Sequence, residues 1–146
     1  MGKSVMYNTG IIRFKQHGDI QGRLTPIEGE NDIPFAIKRV YYIYDVQQNI
    51  TRGFHSHKKL HQVLIPLGGS ITVKIKTTHP DEEANIILNK PNEGLYIGPY
   101  VWREMYEFSP GSTLLVLASD VYNESDYIRS YDEYMASNPY KGWETK

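Results

Sequence analysis

The chain has 146 residues, 16 Lys+Arg against 17 Asp+Glu, a formal net charge of −1 and no cysteine. That length suits one domain of about 100–200 residues with its own core, and the charge balance excludes a generally basic nucleic-acid binder. Without cysteine there is no disulfide framework, no thiolate zinc site and no cysteine nucleophile. Apolar runs such as 114–118 fall far short of the ~20 residues of a membrane-spanning helix. No apolar block follows Lys3 to mark a secretory signal, so a cytoplasmic protein is expected. The composition also holds 12 tyrosines, whose apolar rings and polar tips suit interfaces and sugar-lined pockets.

Taken in chain order, the middle of the sequence reads as short strands cut by turns. Residues 37–44 are rich in β-branched and aromatic side chains, and 62–67 form an apolar run closed by Gly68-Gly69. Residues 71–76 alternate Ile, Val, Ile with Thr, Lys, Lys, the period-2 pattern of a half-buried strand. A polar turn at 79–83 precedes a strand at 84–88. Strands at 94–97, 103–108 and 113–118 follow, separated by Gly98-Pro99 and Ser109-Pro110-Gly111. Such spacing predicts an antiparallel sandwich or barrel, not βαβ units. From Asn123 the pattern changes. Asn123 can cap a helix, Glu124 and Asp126 fall in its first turn, and Tyr127, Ile128, Tyr131 and Met135 recur at helical spacing. The reading is one domain over 1–146, with a barrel at about 10–120 and a C-terminal helix at about 123–137. The polar end, 142–146, is expected to fray.

The most informative stretch is Arg52-Gly53-Phe54-His55-Ser56-His57-Lys58-Lys59-Leu60-His61-Gln62. On a strand, His55 and His57 point to one face, ~6.5–7 Å apart along the chain. Two such imidazoles can bind a metal or transfer protons, although a bare H-x-H also fits two surface histidines on an edge strand. His61 reaches the same face only if the strand continues unbroken. His17 and His79 lie in polar, loop-like contexts. A second cluster is Gly94-Leu95-Tyr96-Ile97-Gly98-Pro99-Tyr100-Val101-Trp102-Arg103-Glu104. The two clusters together resemble the two-motif layout of the cupin superfamily, a small all-β jelly-roll barrel. Metal-binding cupins supply two His and a Glu from the first motif and a His from the second. Here Gln62 stands in place of the Glu, and Arg103 stands close to the position of the second His. An amide replaces a carboxylate poorly as a ligand, and a guanidinium cannot coordinate and repels a divalent cation. The expectation is no metal, and a pocket for an organic ligand.

Further stretches sharpen the resemblance: Leu24-Thr25-Pro26-Ile27-Glu28-Gly29, Ile37-Lys38-Arg39-Val40-Tyr41-Tyr42-Ile43, Val116-Leu117-Ala118-Ser119-Asp120 and Glu124-Ser125-Asp126-Tyr127-Ile128-Arg129. With the clusters above they are similar to the WxcM-like sugar 3,4-ketoisomerases, from about residue 14 to 134. The resemblance implies a homodimer without metal or redox cofactor, moving the carbonyl of dTDP-4-keto-6-deoxyglucose from C4 to C3. In this reading His55 shuttles the proton between carbons and His57 between oxygens, through an enediolate. Substrate contacts are expected from Arg39, Tyr41, Arg52, Lys58, Gln62, Tyr96 and Arg103, with Arg39 and Arg52 suited to pyrophosphate. For Arg39 the competing role is a rim salt bridge; for Tyr41 and Tyr96 it is core packing. Lys59 reads as a solvated edge residue and Trp102 as core. Arg103 favours the gluco product, and Gln21 lies near a second position that varies with stereochemistry. The alternatives are a dTDP-4-keto-sugar 3,5-epimerase on the same barrel and a non-catalytic nucleotide-sugar-binding cupin. A metal-dependent cupin comes last.

Overall fold

The computed structural model describes residues 3–78 and 80–137. His79 and the segment 142–146 lie outside the described residues. The strands are β1 (Lys3–Ser4), β2 (Thr9–Arg13), β3 (His17–Asp19), β4 (Gly22–Leu24), β5 (Arg39–Tyr44), β6 (Arg52–His57) and β7 (Gln62–Gly68). They continue with β8 (Ile71–Thr78), β9 (Asp81–Leu88), β10 (Glu93–Ile97), β11 (Trp102–Tyr106), β12 (Thr113–Ala118) and β13 (Tyr127–Ile128), and the chain closes on α1 (Tyr131–Ala136). A six-stranded sheet runs β1-β2-β10-β7-β12-β5, a five-stranded sheet runs β13-β6-β11-β8-β9, and β3-β4 form a separate hairpin. All strand pairs are antiparallel. The all-β jelly-roll expectation holds, with the two sheets facing each other as distinct hydrogen-bonded units instead of one continuous closed barrel.

Side-chain alternation builds the core between the sheets. Leu64, Leu95, Ile97, Leu114 and Val116 project from the six-stranded sheet against Ile71, Val73, Ile75 and Met105 from the other. Each fully buried aliphatic side chain here stabilises the fold by roughly 1.5–3 kcal/mol. The alternate residues of the six-stranded sheet, Ile12, Val63, Ile65, Tyr96 and Leu117, are also buried, under Ile33 and Phe35 from the β4–β5 connection. That sheet therefore has two apolar faces, which explains why 62–67 reads as a continuous apolar run. β5 is its edge strand, with Arg39, Tyr41 and Ile43 turned partly inward and Val40, Tyr42 and Tyr44 exposed.

Two expectations are corrected. The strand expected at 84–88 begins at Asp81, because Asp81, Glu82 and Glu83 pair with Thr78, Thr77 and Lys76 of β8. The helix expected over 123–137 is mostly absent. Asn123 does cap, its side chain accepting from Ser125 N–H, but the turn it opens is a single 3₁₀ turn at Glu124–Asp126. Tyr127 and Ile128 then pair with His57 and Ser56 of β6. The open edge of β6 captures this segment, and tertiary pairing overrides local periodicity. The remaining helix starts at Ser130, whose Oγ accepts from Glu133 N–H. It lays Tyr134 over Trp102 and Ile128.

Candidate active site

The histidine pair sits on β6, and a backbone irregularity aims it. Arg103 of β11 stands opposite His55 while Glu104 stands opposite Gly53, leaving Phe54 as the extra residue of a bulge. Gly53 adopts φ +97° and Phe54 φ +56°. A Cβ on Gly53 would come within 2.9 Å of the Arg103 carbonyl, so glycine is required there on two counts. Beyond the bulge His55 and His57 share one face, their ring centroids 4.9 Å apart and nearly perpendicular. The Tyr127 ring lies 4.3 Å from His57 and 5.1 Å from His55. β13 thus places an aromatic wall against both imidazoles.

Behind the pair, Arg103 is buried to 1% exposure. Its direct partners are neutral: the Gln62 amide oxygen and the Val101 carbonyl at 3.0 Å. Gln62 in turn donates to the Tyr41 hydroxyl at 3.1 Å. A buried guanidinium with no carboxylate bonded to it opposes a second positive charge nearby. Burial and then Arg103 hold His55 down to about 3; the same two causes, in the same order, push His57 far below the ordinary imidazole range. Both rings are therefore neutral at physiological pH. Arg103 itself is lowered to about 10 by burial, so it keeps its charge, and burial raises Tyr41, which stays a phenol. The donor set does not fit a divalent cation. The Gln62 oxygen is already engaged by the guanidinium, whose positive charge repels a cation.

Two adjoining pockets reach the histidines and Tyr41 and share Arg39, Tyr122 and Tyr127. The smaller, about 120 Å³, reaches His57, Lys59 and Asp126. The larger, about 620 Å³, reaches His55, Tyr41, Arg52 and Arg129. The Arg39 guanidinium lies over the rings of Tyr41 and Tyr122, at 4.8 and 5.5 Å. Arg129 stacks on Tyr127 at 4.1 Å and pairs with Glu124 at 2.7 Å, holding that carboxylate down to about 2.

Of the residues singled out from sequence, His55, His57, Arg39, Tyr41, Arg52, Gln62 and Arg103 converge here. Three do not. Tyr96 faces the outer apolar layer, because its neighbours Leu95 and Ile97 face the core. There its hydroxyl meets His61 Nδ1 at 2.6 Å, on the opposite side of the sheet from the histidine pair. Lys58 turns its amine to the Ser125 carbonyl at 3.2 Å, while Lys59 lines the pocket instead. β6 ends at His57, so strand alternation does not reach Lys59. Gln21 sits in the turn of the exposed β3–β4 hairpin, its N–H donating to Asp19. Tyr127, Arg129 and Asp126 are the functional candidates missed as individuals, because the helix reading placed them off the site.

A jelly roll with a polar cluster at one end and an apolar core behind it defines the cupin class. Within that class the chain belongs to the FdtA family, "WxcM-like, C-terminal", whose model matches residues 7–138. It is 50% identical over 124 residues to the TDP-4-oxo-6-deoxy-alpha-D-glucose-3,4-oxoisomerase of Aneurinibacillus thermoaerophilus, covering 85% of this chain and 88% of that protein. The QdtA 3,4-ketoisomerase of Thermoanaerobacterium thermosaccharolyticum, solved in complex with TDP, is 61% identical with a TM-score of 0.87 over 90% of this chain and 94% of that one. QdtA has also been solved as a His-to-Asn mutant with TDP-4-keto-6-deoxyglucose. The WlaRB TDP-quinovose 3,4-ketoisomerase of Campylobacter jejuni is 45% identical, with a TM-score of 0.85 over 90% of this chain and 100% of that one. By family, the chain is an isomerase of the 3,4-ketoisomerase type.

Proposed function

We propose that this chain converts TDP-4-keto-6-deoxyglucose to TDP-3-keto-6-deoxyglucose, with His55 and His57 as its proton-transfer groups. The observation that carries the mechanism is the pair of neutral imidazoles beside a buried Arg103 whose direct partners are neutral. The C3 hydrogen is α to the C4 ketone, so a neutral imidazole can remove it. His55 takes the proton from C3 and returns it to C4. His57 takes the proton from O3 and delivers it to O4. The intermediate is an enediolate, and the carbon oxidised and the carbon reduced belong to one molecule, so no redox cofactor is consumed. The developing negative charge falls beside Arg103, which stabilises it without reorganisation. As that charge forms it offsets Arg103 and raises the basicity of both imidazoles during the transfer.

Arg39, Arg52 and Arg129 around the larger pocket are suited to pyrophosphate, and Tyr41, Tyr122 and Tyr127 to the sugar and base. Arg103 in place of a histidine supports the gluco configuration at C4. A nucleotide-sugar substrate supports a cytoplasmic location. The exposed side chains of edge strand β5, Val40, Tyr42 and Tyr44, together with Ile20 and Leu24 on the hairpin, support a homodimer.

His55→Asn and His57→Asn should each lower turnover by about 10²–10⁴-fold while TDP affinity, measured by calorimetry, stays near the parent value. Near-normal rates in both variants would overturn the assignment of roles.

A further inference from the structure

We infer that Asp126 is the positioning residue that fixes the working tautomer of His57, holding the proton on Nδ1 and leaving the Nε2 lone pair to the substrate. This rests on the reading of His57 as a proton-transfer group, and it adds a residue which that reading does not contain. Asp126 Oδ2 lies 3.1 Å from His57 Nδ1. The same oxygen accepts from Leu60 N–H at 3.3 Å, and Oδ1 accepts from Lys59 N–H at 2.8 Å. With two backbone donors aimed at it, the carboxyl group acts as an acceptor, so the ring must supply the proton of the third hydrogen bond. His57 Nε2 is buried without a protein partner, in a side chain that lines the smaller pocket.

The backbone fixes the carboxylate as firmly as the carboxylate fixes the ring. The Asp126 carbonyl accepts from Lys58 N–H at 2.9 Å, and its own N–H donates to the Asn123 carbonyl at 3.1 Å. The next residue, Tyr127, is paired with His57 across β13 and β6. Asp126 therefore stands where the capped 3₁₀ turn meets the strand, and it cannot swing away without breaking both. His55 has no carboxylate equivalent: no side chain among the described residues bonds its buried Nδ1, and the hydrogen-bonding group acting on the ring is the Gly53 backbone. The two histidines thus differ in preparation: a carboxylate anchors His57, and only backbone and ring contacts hold His55.

Asp126→Asn tests this because the amide can still accept from Lys59 N–H through Oδ1. Its NH₂ then takes the place of Oδ2, giving up the Leu60 N–H bond and forcing the opposite tautomer on the ring, with the lone pair on Nδ1 and the proton on Nε2. Nitrogen-15 spectra of histidine-labelled protein should show Nδ1–H and a lone-pair Nε2 for His57 in the parent, and the reverse in Asp126→Asn. Turnover of the variant should fall by about 10²–10⁴-fold with KM nearly unchanged. A proton on Nε2 in the parent overturns the inference without any variant, so the test survives a variant that does not fold. Full kcat in a folded Asp126→Asn overturns it as well. A parent with the expected tautomer but no turnover of the 4-keto sugar would sink the functional reading and leave the tautomer assignment standing.

Discussion

Arg103 has only neutral hydrogen-bond partners, and at 1% exposure it is shielded from water. Such a group raises the free energy of cations beside it and lowers that of anions. Replacing it with Gln should therefore do two opposite things. The imidazole of His55, held down to about 3, should titrate at higher pH in an NMR titration. At the same time kcat should fall by roughly 10²–10³-fold, the usual cost of losing one oxyanion-stabilising donor. An unmoved His55 titration would remove Arg103 as a source of the field. Gln62 belongs to the same device. A carboxylate at that position would neutralise Arg103, whereas the amide orients it and leaves its charge available to the intermediate.

At the scale of elements, β6 is shaped by the Gly53–Phe54 bulge. Gly53→Ala would combine a positive φ with a Cβ 2.9 Å from the Arg103 carbonyl. It should destabilise the protein by about 1–3 kcal/mol in urea unfolding. A change within about 0.5 kcal/mol, the range of ordinary surface substitutions, would show that the bulge relaxes freely. The strands that alternate cleanly, such as β8 and β5, were legible in the sequence because burial on one face writes a period of 2. The His pair and Arg103 were legible through residue type and the two-cluster spacing. The C-terminal segment was not, because Tyr127 and Ile128 fit helical spacing and β6 lies some seventy residues earlier in the chain. The error about that one segment hid Asp126, Tyr127 and Arg129 together. Tyr96 was misplaced for a related reason. A sheet buried on both faces gives no polar residue to mark which side of β10 is the pocket side.

The whole molecule carries the cost of keeping its histidines neutral. In the folded chain His55 titrates near 3, against about 6.5 when unfolded. Between those values the unfolded state binds more protons, so stability rises with pH across the window and is lost as pH falls from 6.5 towards 3. The urea midpoint should be lower at pH 5 than at pH 7.5, and an equal or higher midpoint at pH 5 would contradict neutral burial. Exposed apolar residues belong to this scale too. Ile20 is wholly exposed and Tyr42 is 61% exposed, a surface that a second copy can cover. Light scattering should report twice the chain mass at micromolar concentration, and a monomer there would reject the dimer. Among the described residues no helix is long and apolar enough to cross a membrane.

The central claim is the migration of a carbonyl within a nucleotide-linked sugar, and product NMR after incubation with TDP-4-keto-6-deoxyglucose in deuterated water tests it most directly. The account predicts a ketone at C3, a new carbinol at C4 in the gluco configuration, and no deuterium at C5. Unchanged substrate, or deuterium at C5 with the ketone still at C4, would contradict it.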